Sequence, residues 1–590
     1  MTRSAPRRPG RPRAAAARAA SATVLAALAA ACGPSGAGDT PRPGGPPAAP
    51  AVAPAVAPAV RVDARELLRD AWVTDGRRGY FVDGADSAAA SPFSLYETAW
   101  RLRLAARSGQ DPHRLVDAGR LRRWAAAAER GRLNGSGLPA VAQVDLAVDA
   151  LLTSGGTVDR AAVSATLEAL RSGGGYRTAP AADRTDPGST AVAVRVLTRL
   201  GLPVPEPVRA AVPRDLAALP GAVAADVPGR VVPVLQTAAA LGVTGADRAR
   251  AARLAEAAQA SLASLDADAV RLSAEGALRE AAGRLGARLP RFDAATCDGR
   301  VLPDGGVGLP GARESDPQAT YWALSLGCSA VRAPAPGAHS RAGWPGEQAR
   351  EGALGASAAA VAVARSAGVT AEFAAPLARQ VREVWLPRTA RPAPYDTAEL
   401  VDRVDLRQIA RALGPAVAAD VARGLPAPAV SGVPATDDAR LLLSTLDARG
   451  DGTAEKALCA AGSPLRASAA GRAAGGSLVR AAWLAAAAES CHDPALRARA
   501  AATARTARLA DAVYRAGSGP SFEASVIGTW IERPRTDAAA AWERAGLCRA
   551  DRCAETPAAL RAADHVPLRT LAALLTARTG HYDTLFPLAF

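Results

Sequence analysis

The sequence predicts an all-α protein built from tandem helical hairpins, and three observations carry that expectation. The first is composition: the 590 residues are 49% hydrophobic but only 4% aromatic, with alanine throughout. Alanine is the best helix former, whereas strands favour β-branched and aromatic residues. The second is a recurring segment of helical length that ends in glycine. Thr98 to Gly109, Thr190 to Gly201, Ser357 to Gly368 and Ala439 to Gly450 each place glycine 11 residues after a small residue, with apolar side chains at helical spacing between them. Glycine just past the last turn is the left-handed helix stop. The third is the period: weaker members end at Gly155, Gly242, Gly286, Gly327 and Gly414, so the glycines recur every 36 to 46 residues. That is two helices and two turns. It suits one or two closed α/α barrels, with inner and outer rings of helices, or an open α-solenoid; the period alone does not choose.

The chain divides in order. Residues 1–31 read as a signal peptide. Arg3, Arg7, Arg8, Arg11, Arg13 and Arg18 form a basic start without acids, followed by an apolar run from Ala19 to Ala31. That run is too short to span a membrane. Leu28-Ala29-Ala30-Ala31-Cys32-Gly33 resembles a bacterial lipobox, although Ala29 stands where leucine is usual. The resemblance implies acylation of Cys32 and a lipoprotein held on the extracellular face of the cell membrane, or a secreted chain if the lipobox fails. Residues 32–60 form a Pro/Ala-rich tether ending in three copies of Ala-Pro-Ala-Val. As polyproline II it would reach roughly 85 Å. Residues 61–290 carry N-terminal α-hairpin repeats and residues 291–590 the C-terminal repeats. Proline-rich connectors such as Gly201-Leu-Pro-Val-Pro-Glu-Pro207 suit helix–helix loops.

Charge and cysteine usage narrow the function classes. The net charge is +15, nearly all from arginine, since Lys456 is the one lysine. Loss of residues 1–31 takes six arginines away and leaves +9. With no basic run interleaved with aromatics, nothing points to nucleic acid. Beside Cys32 stand six cysteines: Cys297, Cys328, Cys459, Cys491, Cys548 and Cys553. An even number in an exported chain suggests disulfides, with fifteen pairings open and Cys548–Cys553 the easiest. No Cys-x-x-Cys or His-x-x-x-His spacing supports a metal, and no cofactor is expected. Gly306-Val-Gly308-Leu-Pro-Gly311 has no strand before it and holds Pro310, which argues against a dinucleotide loop.

Two segments carry a family resemblance. Pro303-Asp-Gly-Gly-Val-Gly308, followed by Asp316-Pro-Gln-Ala-Thr-Tyr-Trp-Ala-Leu-Ser-Leu-Gly327, resembles the repeat of protein prenyltransferase β subunits and of squalene and terpene cyclases. Asp186-Pro-Gly-Ser-Thr-Ala is a second copy of the helix start. Ala435-Thr436-Asp437-Asp438-Ala439 resembles the Asp-x-Asp-Asp-Thr-Ala helix of class II terpene cyclases. The resemblance implies an α/α-toroid fold. It would make Asp437 the general acid and Asp438 its neighbour, although Ala435 replaces the first aspartate. No zinc-holding set of Asp, Cys and His accompanies the prenyltransferase-like repeat.

Each candidate also has a plain structural role. Asp437 and Asp438 open a helix, where a carboxylate caps free N–H groups. Asp186 and Asp316 each precede a proline, the pattern of an N-cap followed by Pro at the first helical position. Tyr96, Glu97 and Trp100 share one repeat helix, so an aromatic stripe there serves the core or a site. Tyr321 and Trp322 are adjacent and face different ways, so one of them is expected to look into a cavity. Asp304, Asp316, Glu97 and Asp437 are the acids to weigh for glycan chemistry, which needs paired carboxylates across a cleft. The leading expectation is a membrane-tethered toroid that binds a cell-envelope ligand or protein partner without catalysis. The alternative is an enzyme, either a terpene cyclase-like isomerase or a glycan-active α/α barrel.

The lipobox reading makes a direct prediction. Cys32→Ala should move the protein from the membrane fraction to the soluble one, as read by fractionation and immunoblot; a variant still in the membrane fraction would refute acylation.

Overall fold

The computed structural model describes residues 63–579 apart from 84–91, 134–135, 220–225, 265–268, 298–299, 309–313, 392–394, 427–436, 464–465, 467–476, 535–536, 550–551, 555 and 558–567. Signal peptide, lipobox and tether, with Cys32, lie outside the described residues. The described chain is mostly helical. Its strands are short hairpins: Trp72–Thr74 with Gly79–Phe81, Arg171–Ser172 with Gly175–Tyr176, Arg508–Ala510 with Val513–Ala516 and Gly519–Ser521, and Cys548–Arg549 with Arg552–Cys553.

Contacts divide the chain into two compact units. One holds Leu95–Gly337, the other the described residues of Pro54–Ser94 together with Ala338–Phe590. The boundary therefore falls after Gly337 rather than after 290, and the segment before Leu95 belongs with the second unit.

The longer helices of the first unit are α1 (Leu95–Arg107), α2 (Ala118–Glu129), α3 (Ala140–Thr153), α4 (Arg160–Leu170), α5 (Pro187–Arg199), α6 (Glu206–Ala218), α7 (Val232–Leu241), α8 (Gly245–Ala263), α9 (Ala269–Leu285) and α10 (Pro317–Leu326). Contacts run α1–α3, α3–α5, α5–α7, α7–α9, α9–α10 and back from α10 to α1. In the second unit come α11 (Ala353–Ser366), α12 (Ala374–Gln380), α13 (Thr397–Leu413), α14 (Pro415–Gly424), α15 (Asp438–Ala448), α16 (Gly452–Cys459), α17 (Leu478–Ser490), α18 (Pro494–Thr506), α19 (Phe522–Glu532), α20 (Ala538–Arg544) and α21 (Leu568–Thr579). Here α11 packs on α13, α13 on α15, α15 on α17 and α17 on α19; α20 joins α19 to α21, and α21 returns to α11.

The glycine period marks these contacting helices. Gly109, Gly155, Gly201, Gly242, Gly286 and Gly327 follow α1, α3, α5, α7, α9 and α10, and Gly368, Gly414 and Gly450 follow α11, α13 and α15. All nine hold φ between +64° and +109°. The pattern continues where the sequence hides it: His492 after α17 (φ +50°) and Arg533 after α19 (φ +45°) take the same left-handed conformation without glycine.

A second device fixes how these helices begin. Asp186 caps α5 by accepting the Ser189 N–H at 2.6 Å, and Asp316 caps α10 through the Ala319 N–H at 2.7 Å. One turn on, Thr320 Oγ donates to the Asp316 carbonyl (2.7 Å) and accepts the Val307 N–H (2.9 Å). Thr190 does the same between the Asp186 carbonyl and the Tyr176 N–H, at 2.9 and 3.0 Å. Ser525 repeats it between the Ser521 carbonyl and the Tyr514 N–H, at 2.6 and 3.0 Å. Glycine lets the hairpin come this close: a Cβ on Gly306 would overlap Ser315 and stand 2.9 Å from the Thr320 hydroxyl. On α11 the clasp is Ser357, which accepts the Phe81 N–H at 2.9 Å from the hairpin before Leu95.

The cores are built of leucine, valine and alanine around a few rings. Ala481, Ala482 and Ala485–Ala488 of α17 are buried together, so neighbouring helices approach closely, while Trp483 donates to Thr445 at 2.8 Å and Trp542 to the Ala512 carbonyl at 2.7 Å. Three disulfides form: Cys297–Cys328, Cys459–Cys491 and Cys548–Cys553, with Cα–Cα distances of 5.9, 5.1 and 4.0 Å. The second joins the ends of α16 and α17. Among the described residues no helix is long and apolar enough to cross a membrane.

Thr320→Val keeps the shape and removes the acceptor of a buried N–H. It should lower the unfolding free energy by about 1–3 kcal/mol, read by urea denaturation, and an unchanged midpoint would sink the clasp.

Candidate functional site

A cavity of about 960 Å³ lies within the first unit, lined from α1, α3, α5, α7, α9 and α10 and the turns before them. That is the upper end of the usual range for ligand pockets, about 300–1,000 Å³.

One wall is aromatic. Trp100 comes from α1, and Tyr321 and Trp322 from α10. Ring centroids lie 5.5 Å apart for Trp100–Tyr321, 6.2 Å for Trp100–Trp322 and 5.1 Å for Tyr321–Trp322. Such tilted and edge-on pairs hold one another in place. Both adjacent residues line the cavity, where only one was expected to face it. The reason is on α9: a Cβ on Gly276 would strike the Trp322 indole, so the ring lies on bare backbone there. The guanidinium of Arg103 sits 4.6 Å from the Trp100 ring centre.

Beside this wall stands Asp316, the N-cap of α10. Tyr96 brings its hydroxyl to 2.9 Å from Asp316 Oδ2 and 3.0 Å from Gln318 Oε1. Burial pushes the Asp316 carboxyl up to about 6, against the lowering pull of the Ala319 N–H and the Tyr96 hydroxyl, and Glu97 adds to the rise. Burial and the facing Asp316 also push the Tyr96 phenol well above its ordinary value. Asp316 is thus an acid that changes state near neutrality, and such groups cluster at functional sites.

Elsewhere on the wall, acids meet arginines. Arg195 of α5 grips Asp145 of α3 with both carboxylate oxygens, at 3.1 and 2.7 Å. Asp149, one turn on, pairs with both Arg103 and Arg199. Arg284 of α9 pairs with Glu280 at 2.8 Å. Burial would raise the Asp145 carboxyl, but Arg195, with Arg103 and Arg199 behind it, holds it below its ordinary value. Asp186, capping α5, also lines the cavity.

Of the residues singled out from the sequence, the fold brings Tyr96, Trp100, Asp316, Tyr321 and Trp322 together. Glu97 lies one residue from Tyr96 and accepts a 2.7 Å bond from Arg101. Asp304 holds a turn, accepting the Gly306 and Ser315 N–H groups at 3.0 and 3.3 Å. Asp437 and Asp438 lie in the second unit. Asp437 caps α15, accepting the Arg440 N–H at 3.1 Å, and Asp438 pairs with Arg480 at 2.9 Å. Ala435 and Thr436 lie outside the described residues.

The matched ion pairs escaped the sequence reading. Their signal was present: Asp145 and Asp149 are four apart in the mostly apolar α3, and Arg195 and Arg199 are four apart in α5. An acid in an apolar helix needs a partner, and equal spacing on two neighbouring helices supplies it. The second unit hides two similar features. Asp447 is buried between Arg403 and Arg407, at 2.5 and 2.6 Å. Asp405 of α13 is buried with neither oxygen hydrogen-bonded within the protein, and burial pushes it up to about 7. Among the described residues no cluster of His, Cys, Asp and Glu could hold a metal ion.

No family model, curated protein or solved structure matches the chain.

Because folding raises the Asp316 value, the fold favours its neutral form. That contribution is full below its ordinary value of 3.8 and is lost as pH rises through about 6. Asparagine caps as well as aspartate and cannot ionise. Between pH 4 and pH 7 Asp316→Asn should therefore gain about 1–3 kcal/mol relative to wild type, measured by urea unfolding at each pH. A difference that does not change with pH would show that Asp316 titrates normally.

Proposed function

We propose that this chain is an exported protein, anchored by an acyl group on Cys32, whose first unit is an α/α toroid that binds a ligand in its central cavity without transforming it. The observation that carries the reading is the cavity itself: about 960 Å³, walled on one side by Trp100, Tyr321 and Trp322 and elsewhere by paired charges set among alanine, valine and proline side chains. The cyclic contacts of α1, α3, α5, α7, α9 and α10 support a closed ring, and those of α11 to α21 support a second. The prenyltransferase- and cyclase-like repeat agrees with such rings. The polar groups support binding over turnover. Asp145 and Asp149 are locked to arginines, and Asp437 and Asp438 are engaged in capping and pairing.

A second reading, catalysis, draws on one observation. Asp316 is an acid raised to about 6 beside an aromatic wall. This is the kind of group that protonates a leaving oxygen or an alkene. A glycan-active or cyclase-like enzyme would use it.

The test is occupancy. Protein purified from the producing cells should release a small molecule in native mass spectrometry. Ala277→Trp, which fills the cavity from α9, should release none while keeping its helical circular dichroism. The released molecule should be recovered unchanged after incubation with fresh protein. Equal release from both proteins, or none from wild type, would overturn the binding reading; conversion of the molecule would favour the enzyme.

A further inference from the structure

Resting on that binding reading, we propose that the first unit's cavity takes an uncharged, hydroxyl-rich ligand with an apolar face, namely a stretch of neutral oligosaccharide. Charge comes first. The cavity wall carries five arginines, Arg103, Arg107, Arg195, Arg199 and Arg284, against five carboxylates, Asp145, Asp149, Asp186, Glu280 and Asp316. The wall offers no net charge. Arg195 is committed to Asp145, and Arg103 and Arg199 to Asp149. A phosphate or carboxylate would have to compete with buried Asp149 for Arg103 and Arg199, and an ammonium would have to compete with Arg195 for Asp145; Arg107, which donates to the Leu324 carbonyl at 3.5 Å, and the capping Asp186 stand outside these pairs. Breaking a buried pair strands the other charge, so ionic ligands are disfavoured at Asp145 and Asp149 by the same contacts that hold the helices together.

Shape and polarity point the same way. Long isoprenoid or acyl chains want an apolar sleeve; alanine, valine and leucine side chains do line this cavity, but Gln236, Ser273, Gln318 and Asp316 interrupt them on its wall. Gln236, Ser273 and Gln318 both donate and accept, as pairing with hydroxyls requires, and the ionised Asp316 carboxylate accepts. Leaving them dry against a hydrocarbon would cost each its hydrogen bonds. The aromatic wall supplies what a sugar's C–H face needs, a flat apolar surface whose rings are already fixed. Trp322 is held against Gly276, and Trp100 is covered on one side by Arg103. Fixed rings lose little freedom when a ligand arrives. Tyr96 in turn fixes the Asp316 carboxyl at the edge of the wall.

The test is calorimetry and tryptophan fluorescence on the intact protein with four neutral tetrasaccharides: cellotetraose, maltotetraose, mannotetraose and the N-acetylglucosamine tetramer. Tripolyphosphate, spermine and farnesol serve as anionic, cationic and isoprenoid controls. At least one tetrasaccharide should bind and shift the tryptophan emission. Its affinity should change less than twofold between 50 and 500 mM NaCl, because no ion pair forms or breaks. Tyr321→Ala should weaken it at least tenfold, while Tyr321→Phe, which keeps the ring, should stay within threefold; matched melting curves exclude misfolding. Binding of none of the four sugars would overturn the proposal, as would a steep salt dependence. Binding of a control alone, abolished by Ala277→Trp, would overturn the sugar and leave the binding cavity standing. Absence of any ligand, including one carried from the producing cells, would overturn both.

Discussion

The fold rests on a hydroxyl placed one turn into selected helices. Thr190, Thr320 and Ser525 each donate to the carbonyl of the N-cap residue and accept the N–H of a hairpin before the helix. One side chain thereby satisfies a buried N–H that would otherwise cost about 1–3 kcal/mol. It also sets the angle at which the chain enters the helix. Asp186 and Asp316 then cap the free N–H groups of the first turn, and proline at the first helical position costs nothing there because its missing N–H had no partner to lose. At the other end, a left-handed residue turns the chain out. Start and stop together fix the length and direction of each contacting helix.

The same devices build the candidate site. Because Asp316 caps α10 and Asp186 caps α5, both carboxylates sit at helix N-termini on the cavity wall. Capping and site chemistry are therefore not rival roles for Asp316. One oxygen accepts the Ala319 N–H, and the other meets the Tyr96 hydroxyl. Burial raises its value in spite of both hydrogen bonds, which pull it down.

Low aromatic content shapes the rest. With alanine facing alanine across α17 and its neighbours, helix axes approach closely and side chains alone leave little room for polar groups. Two buried acids are each held by a pair of arginines: Asp447 between Arg403 and Arg407, and Asp149 between Arg103 and Arg199. Asp405, in the second unit, is a buried carboxyl with neither oxygen hydrogen-bonded within the protein, and burial pushes its value up to about 7 against the pull of Arg569. Three of the few aromatics share the cavity wall, others pack beside the short hairpins, and Trp124, Trp385 and Trp483 sit buried on helices.

What the amino-acid sequence determined by itself is local. Helical class, the glycine stops after nine helices, the Asp-Pro starts and the Cys548–Cys553 pair all depend on residues within about one turn of each other, so spacing alone exposes them. It also hid the stops at His492 and Arg533, where the left-handed residue is not a glycine. Only the tertiary structure decided the rest. Asp145 and Arg195 are 50 residues apart, and Tyr96 and Asp316 are 220 apart. The hairpin before Leu95 serves α11, and Asp83 accepts the N–H of Leu568 across 485 residues. Which carboxylate meets which arginine, and which rings share a wall, depend on how many helices intervene before the chain comes back. No local spacing encodes that number.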